Sequence, residues 1–199
     1  MPRRYHGALL AFCLLLTSCT QLPQIPTDSL DWEVHAAQLA ALHNWTATGK
    51  LALRTETQSE SANMQWTQKG KTTQILLSGP MGLGATSIES DQRQLQISRN
   101  GQTQYYALSD LAAGAVEPGW DLPLQALPYW ILGLPSPQPT VQAQEVKTGL
   151  LRRLEQLGWT VIYEDYRQFG HLILPTRIKM ERDSTRAQLI IRNWSGFSS

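Results

Sequence analysis

The chain has 199 residues, 42% of them hydrophobic, with 17 Lys+Arg against 16 Asp+Glu and two cysteines. Length and composition suit one globular domain with a sizeable core. The near-neutral charge argues against nucleic acid as the main partner, because phosphate binding needs a basic surface.

Arg3 and Arg4 precede an uncharged apolar run, Ala8 to Leu16, which ends at Leu16-Thr17-Ser18-Cys19. A positive start, a short apolar run and small residues before the cut mark a secretory leader. A cysteine directly after them makes the site a lipobox, the target of bacterial lipoprotein signal peptidase. The run falls short of the roughly 20 apolar residues that span a bilayer. Residues 1–18 are therefore read as a lipoprotein signal peptide and Cys19 as the lipidated first residue of the mature chain. Cleavage removes Cys13, so Cys19 has no partner for an internal disulfide. It also removes two basic residues, leaving 15 against 16 acidic ones. Two or more acyl chains, at about 0.8 kcal/mol per buried CH₂, give stable anchoring. Position 20 is Thr rather than the Asp that retains enterobacterial lipoproteins in the inner membrane, which points to the outer membrane of a Gram-negative cell.

Residues 19–29 read as the lipidated N-terminus and a Pro- and Ser-containing tether. The domain proper is expected over 30–199. From Leu30 to Leu42, Trp32, Ala36, Leu39 and Leu42 recur every three or four residues, which predicts a helix capped by Asp28 or Ser29. Period-2 segments follow. Ala47, Gly49, Leu51 and Leu53 share a face, then Ala62, Met64 and Trp66, then Ile75 and Leu77 after a turn at Lys69-Gly70-Lys71. Ala85 to Glu89 starts another strand. Leu95 and Ile97 alternate toward Asn100-Gly101, a strong hairpin signal, and Gln104 to Leu108 continues beyond it. Six strands joined by short turns make an antiparallel meander.

The period then changes. Asp110 to Ala115 fits a helical turn. Leu124, Leu127 and Ile131 suggest a helix that begins near Ala126, because of Pro128, and ends at Gly133. Strands return at Val146–Leu154, Trp159–Tyr166, Leu172–Leu174, Arg177–Glu181 and Ala187–Trp194. About eleven strands and two or three helices result, a mainly β, α+β domain. One sheet of this many strands must curl, and a curled sheet with one apolar face makes a concavity that the central helices can cover. The expected strands are shorter than the 9–11 residues of a membrane barrel.

Little in the sequence points to catalysis. The histidines after the leader, His35, His43 and His171, form no metal-ligand pattern, and satisfied or exposed side chains are the plainer reading. There is no Gly-x-Ser-x-Gly elbow. Glu164 and Asp165 are adjacent, so on a strand they face opposite ways. No enzyme, metal or cofactor is expected. The Gly79-Pro80-Met81-Gly82-Leu83-Gly84 loop lacks the ending of a phosphate cradle, yet carries two apolar side chains. They either fold back onto the core or project toward lipid or a partner.

Several segments, taken together and in order, resemble the LolB family of outer-membrane lipoprotein receptors. They are Trp45-x-x-x-Gly49-Lys50-Leu51-Ala52-Leu53, Leu77-Ser78-Gly79-Pro80-Met81-Gly82 and Gly119-Trp120-Asp121-Leu122-Pro123, with Tyr129-Trp130-Ile131-Leu132-Gly133-Leu134-Pro135, Gln156-x-Gly158-Trp159-x-Val161-x-Tyr163 and Ile190-x-x-x-Trp194. The resemblance implies a half-open antiparallel barrel of about eleven strands with helices lidding an apolar cavity. It implies a receptor, expected to be a monomer, that accepts lipoproteins from the periplasmic carrier LolA and places them in the inner leaflet of the outer membrane. Partners would be that carrier, lipoprotein acyl chains and outer-membrane phospholipid. The family's membrane-contacting loop residue falls at Met81, with Leu83 beside it. Candidate cavity residues are Leu51, Leu53, Met64, Trp66, Ile75, Leu77, Leu95 and Ile97 on strands, and Leu127, Trp130 and Ile131 in the lid; each could equally be plain core. Another acyl-binding envelope lipoprotein, or a structural one, remains the alternative.

Overall fold

The computed structural model describes residues 30–79, 84–91, 93–109, 122–138 and 140–198. Cys19, the tether, Met81, Leu83 and the helical turn expected at 110–115 lie outside them. The first element is α1, Trp32–Ala40. Its N-cap is Asp31, not the expected Asp28 or Ser29. The Asp31 carboxylate accepts from the backbone N–H groups of Glu33 and Val34 at 2.8 and 3.2 Å. That satisfies two of the donors a helix start leaves free.

Six strands follow, β1 Asn44–Arg54, β2 Ser59–Lys69, β3 Thr72–Ser78, β4 Thr86–Ser90, β5 Gln94–Arg99 and β6 Gln102–Ala107. A short helix, α2, covers Leu127–Trp130, with Pro128 in its first turn where no N–H partner is needed. Five strands close the chain: β7 Ala143–Lys147, β8 Leu150–Gln156, β9 Trp159–Phe169, β10 Leu172–Arg182 and β11 Thr185–Ser198.

All eleven form one antiparallel sheet, in the order β6-β5-β4-β3-β2-β1-β11-β10-β9-β8-β7. Two meanders are thus joined by pairing of the first strand with the last. The sheet is open: β6 and β7 are its edges, and residues 122–138, with α2, lie against its apolar face. The register sets Ile97, Ile88, Ile75, Trp66, Ala47 and Trp194 side by side across six strands, all of them buried. This one row builds much of the inner face.

Two expected boundaries need correction, and they cancel in the count. Val146–Leu154 is not one strand. Thr148 and Gly149, with φ of 50° and 70°, turn the chain between β7 and β8. Leu172–Leu174 and Arg177–Glu181 are not two strands but the single β10. Pro175 is tolerated because the ladder with β11, the side its carbonyl faces, begins only at Arg177, so no ladder N–H is lost. Its carbonyl instead accepts from the Trp194 indole at 3.0 Å. The strands are also longer than expected: four reach 11 residues and β11 reaches 14. Strand length therefore does not separate this sheet from a membrane barrel. Its two edges do, since among the described residues nothing pairs with β6 or β7 on the outer side and a bilayer requires every strand to be paired.

The seam between β1 and β11 depends on Gly49. A Cβ there would stand 2.0 Å from the Ile190 carbonyl oxygen. The register shifts at the same point, between Thr48 and Gly49. Hydrogen in place of a side chain lets the two backbones meet at a bulge. Gly49→Ala is expected to destabilise the fold by at least about 2 kcal/mol, because backbone, not a flexible side chain, must move. Gly101→Ala, at a turn with open space around it, should cost about 1 kcal/mol for its positive φ alone. Chemical denaturation of the two variants checks the difference.

On α1, His35 is buried. One ring nitrogen donates to the Ile173 carbonyl, while Nε2 has no partner among the described residues. Its hydrogen bonding is thus only half satisfied; His43 and His171 are exposed. Burial holds His35 below its ordinary pKa of 6.5, against the smaller opposing pull of Ile173. The unfolded chain takes up a proton near 6.5 while the folded chain does not, so stability falls as pH drops from there toward the lowered folded value. Unfolding midpoints should decline between pH 7.5 and 5.5, by at most about 1.4 kcal/mol per pH unit for one proton. His35→Gln should remove that slope.

Candidate functional site

The concave face holds an apolar cavity of about 70 Å³. Alternation along the strands builds its walls. Leu51 and Leu53 come from β1, Ala62, Met64 and Trp66 from β2, Ile75 and Leu77 from β3, Ile88 from β4, Met180 from β10 and Leu189 from β11. Leu122, Leu124 and Leu127, from α2 and the residues before it, cover the space. Glu60 and Ser61 reach one end, where the half-exposed Glu60 carboxylate pairs with Arg99 at 3.2 Å. Leu122, Leu124 and Leu127 narrow this space without sealing it.

Of the expected lining residues, Leu51, Leu53, Met64, Trp66, Ile75, Leu77 and Leu127 border this cavity. Leu95, Ile97, Trp130 and Ile131 are buried but are not part of its wall. Leu95 and Ile97 sit on β5, further toward the β6 edge. Trp130 is drawn the other way, to β8, by a hydrogen bond. The sequence reading missed Ile88, Met180, Leu189, Leu122 and Leu124. Alternation in β4 carried a signal for Ile88. Met180 and Leu189 come from the second meander, and nothing local says that its strands complete the same wall.

Polar groups hold the lid down. The Gln156 side chain, fully buried at the end of β8, accepts from the Trp130 indole N–H and from the Ser136 backbone N–H, both at 2.9 Å. Its amide donates to the Ser136 carbonyl at 2.8 Å. Tyr163 on β9 donates its hydroxyl to the Trp130 carbonyl at 2.9 Å, and Tyr166 donates to the Leu151 carbonyl at 2.6 Å. Burial pushes both phenols above their ordinary pKa, so they remain donors throughout the neutral range. Arg152 lies over the Tyr166 ring at 5.3 Å. Residues 130–136 are thus pinned to β8 and β9, while Leu122 and Leu124 before them are only half-buried.

Beyond Leu124 lies a second, more polar concavity of about 820 Å³. It runs between the end of α1, the β2–β3 and β4–β5 turns and residues 124–138, and is lined by Trp45, His43, Gln68, Lys71, Asp91 and Gln125 among others. The Asp91 carboxyl is held below its ordinary range by the backbone N–H groups of Gln94 and Arg93, which also close the β4–β5 turn. Leu124 borders both spaces. Two indole N–H groups, of Trp66 and Trp159, are buried without an acceptor among the described residues. An unmade hydrogen bond of this kind costs about 1–3 kcal/mol.

Replacing Gln156 with Met keeps most of the volume and removes three hydrogen bonds at once. Gln156→Met is expected to cost about 2–4 kcal/mol, through the donors it strands. Hydrogen exchange should accelerate most at the amides of Ile131 to Leu134, which close the turn that Gln156 pins.

Comparison with known proteins agrees with this geometry. The family model described as "Outer membrane lipoprotein LolB" matches residues 43–194. An outer-membrane lipoprotein LolB from Chromohalobacter salexigens is 36% identical over 187 residues, covering 94% of this chain and 86% of the relative. One from Stutzerimonas stutzeri is 33% identical over 193 residues, covering 94% of each. Among solved structures, an outer membrane lipoprotein-sorting protein domain from Vibrio parahaemolyticus aligns with a TM-score of 0.54 at 12% identity, over 85% of this chain and 92% of the other. A LolA superfamily protein from Nitrosomonas europaea gives 0.50 at 13%, over 83% and 93%. At such identities these two likenesses speak for the fold. The matches at 33–36% identity run nearly end to end, and the chain belongs to the outer membrane lipoprotein LolB family.

Proposed function

We propose that this protein is anchored by lipid on Cys19 at the periplasmic face of the outer membrane, takes lipoproteins from the carrier LolA and delivers them into the inner leaflet. Family membership and the lipobox support the location. The observation that carries the receptor reading is the apolar cavity with a cover pinned at one end. Acyl chains in water cost about 0.8 kcal/mol per CH₂, so a carrier must pass them from one apolar space directly to the next. Entry here requires Leu122, Leu124 and Leu127 to swing away from Met64, Trp66 and Ile75. The chain then lies against the walls that the lid leucines covered. Release follows because the bilayer offers a larger apolar environment still. In this scheme Met81 and Leu83, on the loop between β3 and β4, touch the membrane as cargo leaves. Complementary charge would steer the docking of the carrier.

The test is a reconstituted transfer from LolA to this protein and on to phospholipid vesicles. Leu127→Asp puts a charge on the cavity cover and should cut uptake at least tenfold. Met81→Glu should leave uptake intact and reduce delivery to vesicles. Unchanged uptake by the Leu127 variant would remove the cavity from the pathway, and unchanged delivery by the Met81 variant would remove the loop.

A further inference from the structure

Trp66 is 3% exposed and lines the apolar cavity, yet its indole N–H has no acceptor among the described residues. Its position along β2 gives that orphan donor a meaning. Glu60 lies at one end of the cavity, and Trp66 lies six residues further, about 20 Å away at strand rise. The Trp66 ring packs on Trp45, with centroids 5.6 Å apart, and Trp45 lines the polar concavity next door. Two residues past Trp66 on the same face, Gln68 lines that concavity as well. Leu124 borders both spaces from above. Trp66 therefore stands at the border between a greasy chamber and a polar one.

A bound amphiphile with its tail in the first and its head in the second would place its linking carbonyl at this border. Hydrocarbon cannot accept a hydrogen bond, whereas an ester or amide carbonyl can. We infer that the Trp66 indole N–H is the ligand-facing donor of the site, and that it reads the acyl carbonyl joining tail to head. The cavity walls would then sense chain length and bulk, while Trp66 would distinguish acyl-linked from alkyl-linked lipids. This rests on the acyl-binding reading above and adds to it a selectivity that apolar walls alone cannot provide.

The experiment compares two neutral test lipids with the same headgroup and tail length, hexadecanoyl glycerol (ester) and hexadecyl glycerol (ether). The protein is the full-length chain carrying Cys19→Ala, labelled with ¹⁵N at its tryptophans. The ester lipid should bind about three- to tenfold tighter than the ether, the span of one net hydrogen bond. It should also move the Trp66 indole resonance downfield, which the ether should do far less. Trp66→Phe should bring the two affinities together. Should that variant not fold, 3-benzothienylalanine at position 66 replaces N–H by sulfur within a ring of the same shape. Equal affinities in the parent chain, an unmoved Trp66 resonance, or an ester preference that survives either substitution would overturn the inference while leaving acyl binding intact. Failure of both lipids to bind would overturn the acyl-binding reading itself.

Discussion

The pairing of β1 with β11 is the contact on which the rest of the structure depends. Each meander could form from local turns, but neither encloses anything alone. Joined at the seam, they bring Leu51 and Leu53 beside Leu189, and Met180 follows from β10. The seam is tight because Gly49 offers no side chain to the Ile190 carbonyl. It is held on its inner side by aromatic packing: Trp45 meets Trp194 edge-on at 5.3 Å and Trp66 at 5.6 Å. Edge-on and tilted contacts of this kind add to the area each ring buries. The longest-range contact in the chain therefore sits beside the candidate site, and damage to the seam should reach the cavity before it reaches the outer strands.

A second constraint acts on the cover. β6 and β7 lie at opposite edges of the sheet, and the described part of the chain between them, residues 122–138, lies against its apolar face. That position brings backbone polar groups into a greasy interior, where they need partners. Gln156, Tyr163 and the turn bonds of Ile131 to Leu134 supply them. The same bonds fix residues 130–136, whereas among the described residues the backbone from Leu122 to Leu127 bonds only within the segment itself. An anchored end and a loosely held end are what a hinged cover needs, and the polar groups thereby divide the segment into a fixed and a movable part.

Much of the first meander was legible because its cues are local. Asn100 and Gly101 adopt φ of 52° and 76°, as an Asn-Gly hairpin turn demands. Alternation in β1 to β3 marked seven of the residues that border the cavity. The second meander misled where composition and geometry part company. Thr148 is not a turn-former by composition, yet it takes φ of 50° ahead of Gly149. Pro175 reads as a strand end, yet the ladder with β11 begins only at Arg177, which lets the strand run on. Trp130 has the look of a lid residue, and only the buried partner Gln156, 26 positions away, explains why it faces β8 instead. The polar clamp and the two-chamber layout were invisible for the same reason: both arise from pairs that no spacing rule connects.

On the proposed function, the narrowness of the cavity bears on how such a receptor would release its cargo. If the site were an open, preformed chamber, each CH₂ of an entering chain would contribute about 0.8 kcal/mol without opposition, and binding would rival the membrane. Here an entering chain would displace leucines that line part of the space. The net gain is the burial of the chain less the renewed exposure of Leu122, Leu124 and Leu127. When the chain leaves, the lid recovers its own burial. Closure thus lowers affinity and favours release in one motion, which lets a site with no energy source stand between a carrier and a bilayer. The Trp66 N–H, which has no acceptor among the described residues, pulls the other way: it penalises the empty state and so adds affinity for a ligand that brings a carbonyl.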